Sequence, residues 1–466
     1  MPKEFLSVQR RDPQYRHSRT SDYRDVEIRP DAATVREQSE RCMGCGIPFC
    51  HAYGCPLGNN IPEFNAAVRE GRDAYAYEIL SQTSPFPEFT SRICPTLCES
   101  ACCAGLPSRP VTVKQIEYHT IESAFANGLV SPRIPRNLTG KRVAVIGAGP
   151  SGLACADRLR SLGHEVCVFE KHSFAGGLLR YGIPDFKLEK HVIERRISLM
   201  RQAGIIFEFD TEIGKDVSAD YIKKRFDAVC LCIGCETPRD LKIKGRELGG
   251  IHYALEFLGS QNRFNSGENL SLEISAKGKN VLIIGGGDTG SDCLGTAIRQ
   301  GAKNVVQIEI MPEPPAERDA STPWPMWEYK KRTSSSHLEG GERMWSVASK
   351  EFVGKDGKVR ALKATKLKWE IVNGRPMSFA EIPDTEFEIP ADLVLLSMGF
   401  TGVPKNGIAE ELSLELAERG GIKTAENMSA SADKTFACGD AVSGPSLVVR
   451  AIASGIKLAY EVDKAI

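Results

Sequence analysis

Two segments of this chain share a grammar that few folds accommodate: a short apolar strand, a turn holding three glycines, then a helix. The first is KRVAVIGAGPSGLACADRLRSLGHEVCVFEK, where Gly147, Gly149 and Gly152 complete G-x-G-x-x-G and Glu170 closes the next strand. The second is KNVLIIGGGDTGSDCLGTAIRQGAKNVVQIEIMP, with Gly285, Gly287, Gly290 and then Glu309. In such a βαβ unit the first glycine permits the tight turn, the second lets backbone approach a pyrophosphate, and the third lets helix pack on strand. The helix N-terminus favours the phosphate charge, and the acidic residue accepts hydrogen bonds from a ribose. Two copies specify two dinucleotides, and the pair that exchanges a hydride is a nicotinamide and a flavin. The expected fold class is α/β with two Rossmann-like domains, the NAD(P) domain inserted in the FAD domain, behind an α-helical N-terminal domain.

The candidate cofactor-binding residues follow the motifs. They are Gly147, Gly149, Pro150, Ser151, Gly152 and Glu170 in the first unit, then Gly177 and Leu178 in GGLLRYGIP. In the second unit they are Gly285, Gly287, Asp288, Thr289, Gly290 and Glu309. Near the C-terminus FACGDAVSG offers Gly439 and Asp440, an acid on a loop that can bind the ribityl chain of FAD; alone, the pair is an ordinary turn. A free ribose diol prefers a carboxylate and a 2'-phosphate needs an arginine. Glu309, Ile310 and Met311 at the second strand's end favour NADH, while Arg318, Lys331, Arg332 or Arg343 on the following loop keep NADPH open. Hydride transfer itself requires no side-chain acid or base, so no catalytic residue is expected.

At 466 residues the chain exceeds what one core supports, since single cores stop growing at roughly 250–300 residues. The stretch VSPRIPRNLTGKR marks a boundary, and helical spacing dominates before it. The expected division is a helical domain over 1–138, an FAD-binding segment over 139–250, an NAD(P)H-binding domain over 251–387 and a second FAD-binding segment over 388–466. Alternation in KVRALKATKLKWEIV and FEIPADLVLLSMG suggests an antiparallel excursion and a return strand. Lys plus Arg and Asp plus Glu are each 60, which gives no electrostatic reason to expect nucleic acid or a membrane as partner. No stretch approaches the roughly 18 apolar residues of a membrane span, and the charged start MPKEFLSVQRRDPQYRHSR is not a signal peptide. A cytoplasmic protein is expected. Its first residues, rich in Arg and Asp, read as a solvated arm or a docking tail.

Of 15 cysteines, eight lie between Cys42 and Cys103. Cys42, Cys45, Cys50 and Cys55-Pro56 give C-x2-C-x4-C-x4-C-P, a looser relative of the ferredoxin run. Cys94-Pro95, Cys98, Cys102 and Cys103 follow. Two [4Fe-4S] clusters suit this count beside flavin machinery, because a flavin can split a hydride into single electrons; structural zinc is the alternative. His51 and His119 are expected to be hydrogen-bond donors near the clusters. Cys232 and Cys235 read as packing residues, with C-x2-C redox chemistry as the other reading.

The strings RCMGCGIPFC, CPLGNNIPEFN, ICPTLCESAC, VTVKQIEY, VAVIGAGPSGLACA, GGLLRYGIPDFKLEK, GRELGGIHYALEFL, VLIIGGGDTGSDC and FACGDA resemble the glutamate synthase small (beta) subunit family along nearly the whole chain. The same architecture occurs in the N-terminal part of dihydropyrimidine dehydrogenase. The resemblance implies an electron-input subunit with FAD, two [4Fe-4S] clusters and NADH or NADPH as donor. Its expected partner is a large subunit that makes glutamate from glutamine and 2-oxoglutarate. A differently partnered NAD(P)H:ferredoxin-type oxidoreductase is the alternative. The resemblance also implies interleaved ligands: Cys42, Cys45, Cys50 and Cys102 for one cluster, and Cys55, Cys94, Cys98 and Glu117 for the other. Cysteine counting alone puts Cys103 in place of Glu117. The start Met1-Pro2 offers no N-terminal cysteine for glutaminase chemistry, so ammonia transfer is expected on another chain. The family pattern is broken at LCIGCETPRD and at Val442, Ser443 and Pro445.

Overall fold

The computed structural model describes residues 7–372 and 374–466; the first six residues, part of the charged start, lie outside the described residues. The N-terminal region is helical: α1 (Ala32–Ser39), α2 (Ile61–Arg69), α3 (Asp73–Ser81), α4 (Pro87–Ile93), α5 (Leu97–Ser100) and α6 (Val113–Ala126). Asp31 starts α1 by accepting the Thr34 N–H at 2.7 Å, which satisfies one of the donors a helix start leaves free. Phe64, Val68, Ile79, Leu80 and Ile116 bury a small core between these helices. Phe86 and Phe89 at α4 belong instead to the core of the next unit. Beside them the buried Glu88 carboxylate accepts from the Arg196 guanidinium. The helical region is thereby fastened to the unit behind it.

That unit runs β1 (Arg142–Ile146), α7 (Pro150–Ser161), β2 (Glu165–Phe169), α8 (Lys190–Gln202), β3 (Ile206–Glu208) and β4 (Ala228–Leu231). The next runs β5 (Ile251–Tyr253), α9 (Ala254–Ser266), β6 (Asn280–Ile284), α10 (Asp288–Arg299), β7 (Asn304–Glu309) and β8 (Glu342–Trp345). An antiparallel excursion follows, β9 (Val347–Lys355), β10 (Lys358–Val372), β11 (Arg375–Glu381) and β12 (Phe387–Pro390). The chain returns through β13 (Leu393–Leu396), β14 (Thr435–Ala437) and α11 (Val448–Ala465).

Two five-stranded parallel sheets result, in the orders β3-β2-β1-β4-β14 and β8-β7-β6-β13-β5. Each has its glycine-turn strand at the centre, flanked on one side by the next two strands in sequence. Continuous apolar runs such as VAVI and VLII suit strands covered on both faces. The return strand differs from the sequence expectation. Residues 393–396, placed with the second FAD segment, pair between β6 and β5 in the other sheet. The run LVLL is buried throughout, as a central parallel strand requires, so the crossing back comes only after Leu396.

The N-terminal arm is also not the solvated tail expected. Gln14–Tyr15 and Glu27–Ile28 form a small hairpin, and the Val26 N–H donates to the Phe186 carbonyl. Arg19 and Arg299 both reach Glu339, at 3.1 and 2.6 Å, and the Arg299 and Glu339 side chains are almost wholly buried. Arg299 also donates to the Arg19 and Asp22 carbonyls and lies over the Phe186 ring. Arg11, Asp12 and Arg24 stay exposed, but Arg19 turns inward to the buried Arg299–Glu339 pair, where the arm straps the two dinucleotide units together. Among the described residues, no helix is long and apolar enough to cross a membrane.

Candidate functional site: two glycine turns and two thiol-lined cavities

The two glycine turns repeat one another atom for atom in their main contacts. Gly147 has φ +99°, and a Cβ there would lie 2.6 Å from the Cys232 carbonyl oxygen; Gly285 has φ +123°, with the Ser397 oxygen at 2.3 Å. At the third glycines, Gly152 and Gly290, a Cβ would lie 1.9 and 2.5 Å from the carbonyl oxygens of Gly147 and Gly285. These four positions exclude a side chain because backbone already occupies the space. The second glycines differ: beside Gly149 only the Gly177 Cα comes within 4.0 Å, and beside Gly287 nothing does. That open face is what a pyrophosphate needs.

The acidic residues repeat too. Glu170 accepts the Ala148 N–H at 2.9 Å and the His172 N–H at 3.0 Å. Glu309 accepts the Gly286 N–H at 2.5 Å and the Met311 N–H at 3.1 Å. Each carboxylate is thus held at its turn by two backbone N–H groups. Burial pushes Glu170 up from the usual carboxylate range, opposed by its two backbone donors.

The first turn opens into a cavity of about 700 Å³, within the range of cofactor pockets. Gly147, Gly149, Pro150, Ser151, Glu170, Gly177, Leu178 and Asp440 line it. Gly152 and Gly439 do not; Gly439, at φ +68°, packs against the Ser151 side chain. Asp440 accepts from the Ser446 hydroxyl at 2.6 Å, and burial raises its carboxyl. Sequence reasoning missed Lys171, His172, Arg263 of α9, and Val448 and Ala451 of α11, all of which line the cavity. No motif marks them: Lys171 and His172 simply follow Glu170, while Arg263, Val448 and Ala451 come from helices that dock only in the folded chain. The close crossing of α11 over α7 depends on Gly455, where a Cβ would meet the Ser151 carbonyl at 2.1 Å.

Around the second turn Gly286, Gly287 and Asp288 are exposed, while Gly290 is buried. Thr289 follows Asp288 in the first turn of α10. The basic residues of the following loop are engaged elsewhere: Arg318 with the Ser100 carbonyl and Glu328, Lys331 with Glu313. Arg332 stacks on Trp327 but also feels the Asp288 carboxylate of the turn, and Arg343 donates to the Arg332 carbonyl.

The cysteines fall into two small cavities, each about 20 Å³. Cys42, Cys45, Cys50, Cys102 and Cys103 line the outer one, with Ile61, Asn65 and Val113 among its other walls. Cys55, Cys94, Cys98 and Glu117 line the inner one, together with Thr90, Ile61, Val113 and Val449. Cys103 therefore joins the outer group, not the group that holds Glu117. The split begins in one widened turn, Cys50–Gly54, closed by the Cys55 N–H bond to the Cys50 carbonyl at 2.9 Å. It turns Cys50 and Cys55 to different cavities. Gly54 lets this turn lie on α5, because a Cβ there would come within 2.7 Å of the Cys98 Cα.

Burial pushes the Cys55, Cys98 and Cys102 thiols up, and Cys94 up to about 12. Burial and the neighbouring Cys103 push Cys45 up to about 11. Burial holds Glu117 at about 7 although the Thr90 hydroxyl donates to it. Such a set takes up a cationic centre by giving up its protons. Among the described residues, no three His, Cys, Asp or Glu side chains gather closely enough to hold a lone metal ion; the thiols surround a space. His51 bonds the Asn59 carbonyl and His119 faces Asp73, and neither lines a cavity. Cys232 and Cys235 both line the large cavity, and the near partner of the Cys232 sulfur is Cys438, at 3.5 Å.

A large cleft at the first turn beside an open second turn, next to a module of gathered thiols, suits an NAD(P)H-dependent FAD oxidoreductase with iron–sulfur centres. The comparisons agree. Residues 141–455 match the pyridine nucleotide-disulphide oxidoreductase family and residues 19–129 match dihydropyrimidine dehydrogenase domain II, 4Fe-4S cluster. The glutamate synthase [NADPH] small chain of Mycobacterium tuberculosis is 49% identical over 96% of this chain and 91% of its own. That of Bacillus subtilis is 39% identical over 99% and 98%. Glutamate synthase [NADH] of Saccharomyces cerevisiae is 43% identical over 99% of this chain, which spans 22% of the yeast protein. In fold, FprA of Mycobacterium tuberculosis aligns over 70% of this chain and 85% of its own, with TM-score 0.54 and 20% identity. The chain belongs to the glutamate synthase small-chain family and has the role of its electron-input subunit.

Proposed function

We propose that this subunit passes electrons from NADH or NADPH through FAD and two [4Fe-4S] clusters to a large partner chain, which makes L-glutamate from L-glutamine and 2-oxoglutarate. The observation that carries the reading is the order of the cavities. Val448 lines the flavin cavity and the adjacent Val449 lines the inner thiol cavity. Ile61 and Val113 line both the inner and the outer one. One or two side chains therefore separate each site from the next.

When bound, the flavin takes a hydride and releases electrons singly, which clusters can carry. The chain's own residues do the rest. Gly147, Gly149 and the start of α7 hold the FAD pyrophosphate, Glu170 its ribose, and Asp440 the ribityl side. Gly285, Gly287, Asp288, Thr289 and Gly290 hold the nicotinamide dinucleotide, with Glu309 at its ribose. Cys55, Cys94, Cys98 and Glu117 are the inner ligands; Cys42, Cys45, Cys50 and Cys102 are the outer ones, and Cys103 is a bystander. The cluster domain runs to residue 138. The FAD unit begins at 139, yields to the NAD(P)H unit after 250 and resumes once β13 is complete. Fusion of the matching segment into the long yeast chain supports the large partner, and 15 free cysteines suit a reducing cytoplasm.

Anaerobic purification with iron, sulfide and flavin analysis tests this, followed by titration with NADH and NADPH. About eight irons per FAD, four for each cluster, with the flavin bleached by the dinucleotide, is the expected result. Zinc in place of iron would remove the route to a partner.

A further inference from the structure

Asn65 lies on α2, one turn beyond Ile61, and both line the outer thiol cavity. Its exposure is 0%, and neither its amide nitrogen nor its amide oxygen has a hydrogen-bond partner. Among the residues lining that cavity it is the one buried polar side chain left without a partner. Leaving a buried amide unpaired is costly, and asparagine is a poor choice for a helix interior. Leucine would fill the same space without either penalty. The amide borders five thiols and a void, so the acceptor it lacks is one that the void would contain.

We propose that Asn65 donates its side-chain N–H to a sulfur of the outer cluster, and that this hydrogen bond raises the cluster's reduction potential. The assignment rests on the reading of the outer cavity as a cluster site. Each reduction adds one electron and one unit of negative charge, and an N–H dipole aimed at sulfur stabilises the added charge. Asn65 would then make the outer site the better resting place for an electron on its way to the partner.

The test uses the holoprotein with its FAD and iron. Iron is counted first: fewer than about eight atoms per FAD in the wild type overturns the two-cluster reading before any potential is measured. A redox titration followed by electron paramagnetic resonance then compares wild type with Asn65→Leu. With iron content equal, one cluster signal is expected to become harder to reduce by about tenfold in its equilibrium constant, ~59 mV for one electron. The other signal should stay in place. Unchanged potentials at full iron content overturn the proposal and leave the amide to a water or to no partner. Should Asn65→Leu lose iron, the smaller Asn65→Ala, neutral and without a donor, is read the same way. Should both lose it, wild type carrying ¹⁵N in its asparagine side chains decides by pulsed resonance. A coupled nitrogen on the outer signal supports the bond, and its absence overturns it.

Discussion

At the residue scale, much of what this chain does is set by side chains that cannot be there. A Cβ on Gly290 would lie 2.5 Å from both the Gln307 side-chain nitrogen and the Gly285 carbonyl; the carbonyl is backbone, and the Gln307 amide is itself hydrogen-bonded to it. Gly290→Ala should therefore leave FAD bound and reducible by dithionite while NADH and NADPH no longer bleach it; retained bleaching in a stopped-flow trace would reject the second turn as the donor site. Glu309 offers the complementary test. Hydrogen bonds to charged groups are worth about 1.5–3 kcal/mol, so Glu309→Ala should cut kcat/KM for NADH roughly 10- to 100-fold and change that for NADPH much less. An unchanged ratio would remove Glu309 from the ribose. The place of both residues at the turn was legible in the sequence because their spacing after an apolar strand fixes it. Asn65 was not: one asparagine in a helix carries no signal until its neighbours in space are known.

At the scale of elements, the strand–turn–helix units could be read directly, since glycines at fixed intervals after an apolar strand admit few other folds. The partition of the cysteines could not. Cysteine counting alone put Cys103 where the family resemblance put Glu117, and what separates them is which cavity each lines once α5 packs on the turn Cys50–Gly54. The return strand β13 was misplaced for a related reason. A run such as LVLL fits the centre of any parallel sheet, and only pairing reveals which. The packing of that cysteine turn is open to test. Gly54→Val must push the turn off α5, where its Cβ would meet the Cys98 Cα at 2.7 Å and the Leu97 carbonyl at 2.9 Å. Iron content should fall sharply while FAD stays near one per chain. Full iron loading in Gly54→Val would show that the turn and α5 need not touch.

At the scale of the whole molecule, the arm and both dinucleotide units meet at Arg299 and Glu339. Removing one partner of a buried ion pair leaves the other uncompensated and costs about 3–5 kcal/mol. Arg299→Met should lower the thermal midpoint by several degrees and slow reduction of the flavin by NAD(P)H, because the strap that fixes one unit against the other is lost. Stability should also respond to pH. Burial holds His172 and His337 down at about 4, below the ordinary histidine value of 6.5, so the unfolded chain binds these protons first. Stability is then full above about 6.5 and falls as the pH drops from there towards 4. Thermal unfolding across that window should show a shallower slope for His337→Asn than for wild type.

The interleaving of the two thiol cavities reaches further, to the order of events during synthesis. Neither cavity is lined by a continuous stretch: the outer one needs Cys102 as well as Cys42–Cys50, and the inner one needs Cys55 together with Cys94, Cys98 and Glu117. A ribosome that has released only the cysteines up to Cys55 has made three of the outer cavity's five thiols and one of the inner cavity's three, and completed neither. Iron delivered at that stage meets an incomplete set of ligands, so loading waits until the chain has passed Glu117. The shared walls Ile61 and Val113 then close both sites in one step. Cells short of iron should accumulate this subunit as two populations, fully loaded and empty, with few chains in between.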